Sequence, residues 1–98
     1  MKIQTQSVHF DADVKLINFI EQKVSKLERF FDHIIAADVI LRLENNGQVK
    51  DKIAEIKIKV PGTVLIAKET DKSFEAAVDA TAEALRRQLI KHKERIRA

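Results

Sequence analysis

The chain has no cysteine, no tryptophan and no tyrosine, and only one proline and two glycines in 98 residues. Without thiols there is neither a disulfide framework nor a thiolate metal site, and a reducing compartment is the natural setting. Two glycines cannot build a phosphate-cradling loop. Neither Gly47 nor Gly62 falls between a strand and a helix, which excludes nucleotide binding of the GxGxxG or P-loop kind. The five phenylalanines lie on or beside expected helices. No strand therefore carries the aromatics on which an RNA-recognition motif stacks bases, and the GXXG of a KH domain is missing. No run approaches the ~18 apolar residues of a membrane span, and no apolar stretch follows the first basic residue as a signal peptide requires. The expectation is one cytoplasmic domain over residues 1–98, without membrane contact.

What the chain does have is charge, unevenly placed. Eighteen Lys plus Arg stand against fifteen Asp plus Glu, a formal net charge of +3. From Thr70 onward, Phe74, Val78, Thr81, Leu85, Leu89, His92 and Ile96 recur at three- and four-residue steps, the period of one face of a long helix. Asp71 or Ser73 can cap its start. Glu75, Asp79 and Glu83 occupy its first half, whereas Arg86, Arg87, Lys91, Lys93, Arg95 and Arg97 crowd its end against Glu94 alone. Acids early and bases late also complement the helix dipole. Dipole matching needs only a residue or two in the last turn, and the Arg87, Lys91, Arg95 stripe exceeds that need. A surface for a polyanion is the stronger reading.

Upstream, Lys2 to Val8 reads as a short strand. Asp11 and Asp13 offer caps before Ile17, Ile20, Val24, Leu27 and Phe31, which predict a helix from about Asp13 to Phe31. Its outer side carries Lys15, Gln22, Lys26 and Arg29, a second basic stripe. The period then changes. Val39, Leu41 and Leu43 alternate with Ile40, Arg42 and Glu44 as a half-buried strand requires. Asn45, Asn46 and Gly47 predict a turn, lengthened by Gln48 to Asp51. Lys52 to Val60 is a clear strand, with Ala54, Ile56, Ile58 and Val60 on one side. Pro61 and Gly62 reverse the chain into a strand over Thr63 to Lys68. The order is β-α-β-β-β-α. An α+β two-layer sandwich follows, a four-stranded sheet with two helices packed on one face, which makes the two basic stripes neighbours.

Catalytic chemistry has little support. His9, His33 and His92 lack partners at metal-ligand spacing and read as boundary or surface residues, with His92 a partly buried packing residue. Ser7, Ser25 and Ser73 lack a nucleophile-elbow context, and Asp11 and Asp13 read as caps before they read as an acid-base pair. The expectation is no enzyme, no metal, no cofactor and no small-molecule substrate. What remains is Lys and Arg on helices meeting the phosphates of shaped RNA.

The helix segment FIEQKVSKLERFF, the strand and turn AEIKIKVPG, the entry KETDKSFEAAVDA and the pattern L-x-R-Q-L-x-K-x-K, met by Leu85, Arg87, Gln88, Leu89, Lys91 and Lys93, together resemble the ribosome hibernation-promoting factor family, also called ribosome-associated inhibitor or sigma-54 modulation protein. The likeness spans essentially the whole chain and is to the short form, which lacks the C-terminal domain that pairs two ribosomes. The resemblance implies a stationary-phase or stress factor that binds the small ribosomal subunit. There it would cover 16S rRNA along the mRNA channel and the aminoacyl and peptidyl tRNA sites, and so inhibit translation. A separate ribosome modulation factor is an implied candidate partner. Carried over by position, the RNA-binding residues are Lys23, Lys26 and Arg29 on the first helix and Arg86, Arg87, Lys91 and Lys93 on the second, with Lys15, Arg95 and Arg97 as weaker candidates. Two other readings stand beside this one: a general structured-RNA module, and a protein-binding transcription regulator using the face that bears Arg42, Lys57 and Lys59.

Overall fold

The structure is a computed structural model that describes residues 1–45 and 50–97. Strand β1 (Lys2–Val8) leads into helix α1 (Val14–Ser25) and a 3-10 segment (Lys26–Arg29). Strands β2 (Ala36–Asn45), β3 (Lys50–Val60) and β4 (Thr63–Asp71) follow, and helix α2 (Phe74–Arg97) ends the chain. The four strands form one sheet in the order β1-β2-β3-β4. The expected meander of β2, β3 and β4 is antiparallel. β1 pairs parallel with β2, Ile3 opposite Ala37 and Ser7 opposite Leu41, because α1 carries the chain back across the sheet between them.

Alternation decides which side of the sheet is covered. Val39 and Leu41 on β2, Ala54, Ile56 and Ile58 on β3, and Ala67 on β4 are buried on one face, under Ile20 and Val24 of α1 and Val78, Leu85 and Leu89 of α2. Both helices thus lie on the same face. Thr81 is the one buried polar residue among those described. Its hydroxyl donates to the Ala77 carbonyl at 2.7 Å and lies 3.3 Å from the Ala54 carbonyl, so it satisfies itself on the helix while touching the sheet.

The helix starts follow the capping expectations. Asp13 Oδ1 accepts the Leu16 N–H at 2.8 Å, and Ser73 Oγ accepts the Ala76 N–H at 3.1 Å. Asp71 instead closes β4. Gly62 follows Pro61 with φ 86°, the left-handed value that makes the two-residue link from Val60 to Thr63 possible.

Several expectations need correction. The first helix does not run as α-helix to Phe31. At Ser25 the side chain donates to the Gln22 carbonyl at 3.2 Å, and the next turn tightens to 3-10. That turn still buries Leu27 and leads to buried Phe31. β3 begins earlier than Lys52, with Lys50 and Asp51 pairing Asn45 and Glu44. β4 runs past Lys68 to Asp71, because ladder hydrogen bonds need no apolar side chain. Ile96, expected on the core side, is 59% exposed, since α2 outruns the sheet beneath it. The expected turn at Asn46 and Gly47 lies outside the described residues.

Candidate nucleic-acid interface

α1 lays Leu16, Ile20 and Val24 on the sheet, which turns Lys23 sideways toward α2. The 3-10 segment continues that edge with Lys26, and Phe30 follows it. From the other side α2 presents Asp79, Glu83 and Arg86 at three- and four-residue steps. Lys23, Lys26, Phe30, Asp79, Glu83 and Arg86 together line a groove between the helices.

All of its charges except that of Lys26 are already engaged. Lys23 Nζ lies 2.9 Å from Asp79 Oδ1, an ion pair that crosses from α1 to α2. Arg86 Nε donates to both Glu83 oxygens, at 3.0 and 3.1 Å, and Arg87 Nη1 reaches the same carboxylate at 3.7 Å. The Arg86 hydrogen bonds, aided by the charges of Arg86 and Arg87, hold the Glu83 carboxyl below its ordinary range against a smaller opposing effect of burial. The same hydrogen bonds raise the Arg86 guanidinium. Both cations also meet aromatic faces. Arg86 sits 5.7 Å from the Phe30 ring centre and Lys23 5.6 Å from that of Phe19.

A second hollow, of about 340 Å³, opens at the far end of the helix pair, where Arg29, His33, Lys93 and Arg97 converge with Glu28 and Asp32 around Phe31. The Phe31 ring is met edge-on by His33 at 5.5 Å and by His92 at 5.2 Å, which pins this end of the molecule. Of the residues expected to bind RNA, the structure brings Lys23, Lys26 and Arg86 to the groove and Arg29 and Lys93 to the hollow. Arg87 and Lys91 are exposed elsewhere. At about 100° per residue they stand roughly 100° and 140° around α2 from Arg86, whereas Lys93 stands within about 20° of it. Among the described residues no ion pair engages Lys26, Arg29, Lys91 or Lys93. Lys15, Arg95 and Arg97 are exposed.

Sequence reasoning named the cations and passed over the acids and aromatics between them. Asp79 and Glu83 enter the sequence reading as dipole-matching charge, Asp79 also as part of the family-like entry to the last helix, yet both line the groove. Spacing offered a signal, since Asp79, Glu83 and Arg86 share one side of α2 just off the apolar stripe. Arg42, Lys57 and Lys59 lie on the uncovered sheet face. Asp38 stands opposite Lys57 and Glu55 opposite Lys68 in register there, so that face is a mosaic rather than a cationic surface.

The family described as sigma 54 modulation protein / S30EA ribosomal protein matches residues 3–97. The chain belongs to this family. Among its members, the ribosome hibernation promoting factor of Azotobacter vinelandii is 37% identical over 95 residues, covering 97% of this chain and 85% of its own length. The protein of the same name from Pseudomonas putida is 30% identical over 95 residues, covering 97% and 89%. The ribosome hibernation promotion factor of Bacillus subtilis is 29% identical over 96 residues, and this chain spans 50% of its length. The N-terminal domain of Thermus thermophilus protein Y superposes with a TM-score of 0.82 at 25% identity, covering 94% of this chain and 99% of that one. A ribosomal subunit interface protein of Coxiella burnetii shares the fold, with a TM-score of 0.86 at 24% identity over 96% and 99% of the two chains. No described helix of this family member is long and apolar enough to cross a membrane.

Proposed function

We propose that this protein is a ribosome hibernation factor of the cytoplasm, which binds the small ribosomal subunit and inhibits translation in stationary phase or stress. The relatives named for ribosome hibernation support the role. The observation that carries it is the gathering of Lys23, Lys26, Arg29, Arg86 and Lys93 from two helices onto one side of the molecule. Cations on two neighbouring ridges suit a folded RNA whose backbones run close together, such as 16S rRNA lining the mRNA channel and the tRNA sites. Arg87 and Lys91, turned outward, add contacts with RNA on the far wall of such a cleft. The action is binding without chemistry: occupancy of the channel excludes messenger and tRNA.

The test is sedimentation of the purified protein with ribosomes and separated subunits through sucrose gradients at near-physiological salt. Two charge-reversed variants accompany it, Lys26→Glu with Arg86→Glu and Arg87→Glu with Lys91→Glu. Wild type is expected with the small subunit, and both variants are expected to remain nearer the top. Wild type staying at the top would refute the proposal. Equal affinity for subunits and for an unrelated RNA duplex would point to a general structured-RNA module.

A further inference from the structure

The groove between the helices is a poor site for a bare anion, although cations line it. Lys23, Lys26 and Arg86 contribute three positive charges, and Asp79 and Glu83 return two negative ones. Both carboxylates sit where a phosphate would make its contacts. Asp79 holds Lys23 at 2.9 Å across the helix gap, and Glu83 accepts hydrogen bonds from both Nε and Nη2 of Arg86 while facing Arg87. A phosphate entering the groove meets Lys26 free of any ion pair among the described residues, but to reach Lys23 or Arg86 it must displace these carboxylates and then lie beside them. Helix-dipole matching does not account for the placement, because Asp79 and Glu83 lie beyond the first turn of α2, where the dipole effect has faded.

A carboxylate accepts hydrogen bonds and donates none. Folded RNA carries donors as well as phosphates, namely 2′-hydroxyls and the amino groups of unpaired bases. An RNA that turns such donors toward Asp79 and Glu83 replaces the hydrogen bonds they lose, whereas a polyanion without donors leaves both carboxylates facing negative charge. On this basis we infer that Asp79 and Glu83 are specificity-determining residues of the groove. They hold its cations against bare polyanions and admit folded RNA that presents hydrogen-bond donors. The inference rests on the reading of the groove as an RNA surface.

A purely structural role predicts the opposite sign. If the acids only fasten α1 to α2, neutralising them loosens the groove and weakens every polyanion alike. The experiment compares wild type with Asp79→Asn, Glu83→Gln and the double variant. Binding to inorganic polyphosphate, which has no donors, and to bulk transfer RNA, which has many, is measured over a series of salt concentrations. Glu83→Gln leaves the interhelix pair intact and so separates the charge effect from any loosening.

The expected result for polyphosphate is an affinity gain of roughly threefold per neutralised acid and about tenfold for the double variant. The slope of log affinity against log salt should steepen by up to about 0.9 for each cation released. The gain on transfer RNA should be smaller, so the preference for folded RNA narrows. Unchanged or lower polyphosphate affinity in Glu83→Gln, or an equal gain on both probes, would overturn the inference. Sedimentation of wild type with small subunits is read in parallel. Its failure would remove the proposed function, while the two-probe comparison would still decide the role of the acids.

Discussion

The imidazole of His92 meets the ring of Phe31 edge-on, with centroids 5.2 Å apart and planes at 82°. The contact joins the segment that follows α1 to α2, with Phe31 itself part of the buried core. Replacing His92 by alanine should cost about 1 kcal/mol in urea unfolding. RNA affinity should fall as well, because Arg29 and Lys93 flank this joint. His92→Phe keeps the edge-on packing and should restore both.

Gln88 belongs to the sequence pattern that signalled the family, but the structure gives it a different task from its basic neighbours. Its Nε2 donates to the Ile66 carbonyl at 2.9 Å, on the outer edge of β4. Gln88→Ala should lower stability by about 0.5–1 kcal/mol and leave RNA binding as it was. A filter-binding titration beside a melting curve separates the two effects.

Glu83 and Arg86 give stability a pH dependence of defined sign. The folded carboxyl holds its proton less tightly than the unfolded one, whose ordinary value is 4.5. The pair's contribution is therefore fully present above that value and is lost as pH falls through the lowered folded one. Wild type and Glu83→Gln should differ in melting temperature at neutral pH and converge in acid. Convergence at high pH instead would contradict this assignment.

Lys26, Arg29 and Lys93 lie on the α1–α2 side with no ion pair among the described residues. Each mutated to alanine should reduce the slope of log affinity against log salt by about 0.7–0.9. Arg42→Ala, on the mosaic face of the sheet, should leave the slope unchanged. Titrations at several salt concentrations check both.

Much of this architecture was legible because periodicity is a local signal. Val39, Leu41, Ala54, Ile56 and Ile58 alternate, and Val78, Leu85 and Leu89 step around a helix, so layers and buried faces could be read directly. The parallel partnership of β1 was not legible, since nothing in Lys2 to Val8 specifies which strand it joins or in what direction. The tightening after Ser25 escaped because Leu27 and Phe31 satisfy a helical spacing whether or not the backbone narrows. At the site, residue type revealed the cations, whereas the Lys23–Asp79 pair joins positions far apart in sequence. Only the packing of α1 against α2 shows which acid meets which base.

That same packing draws the two walls of the groove from opposite ends of the sequence. α1 and its 3-10 segment are made early, while α2 follows all three later strands. During synthesis the first wall emerges long before its counterpart, and β1 must wait for β2 before α1 has a platform beneath it. A nascent chain thus carries half a groove until α2 has docked. If the groove is the proposed RNA surface, that surface is complete only after α2 has docked.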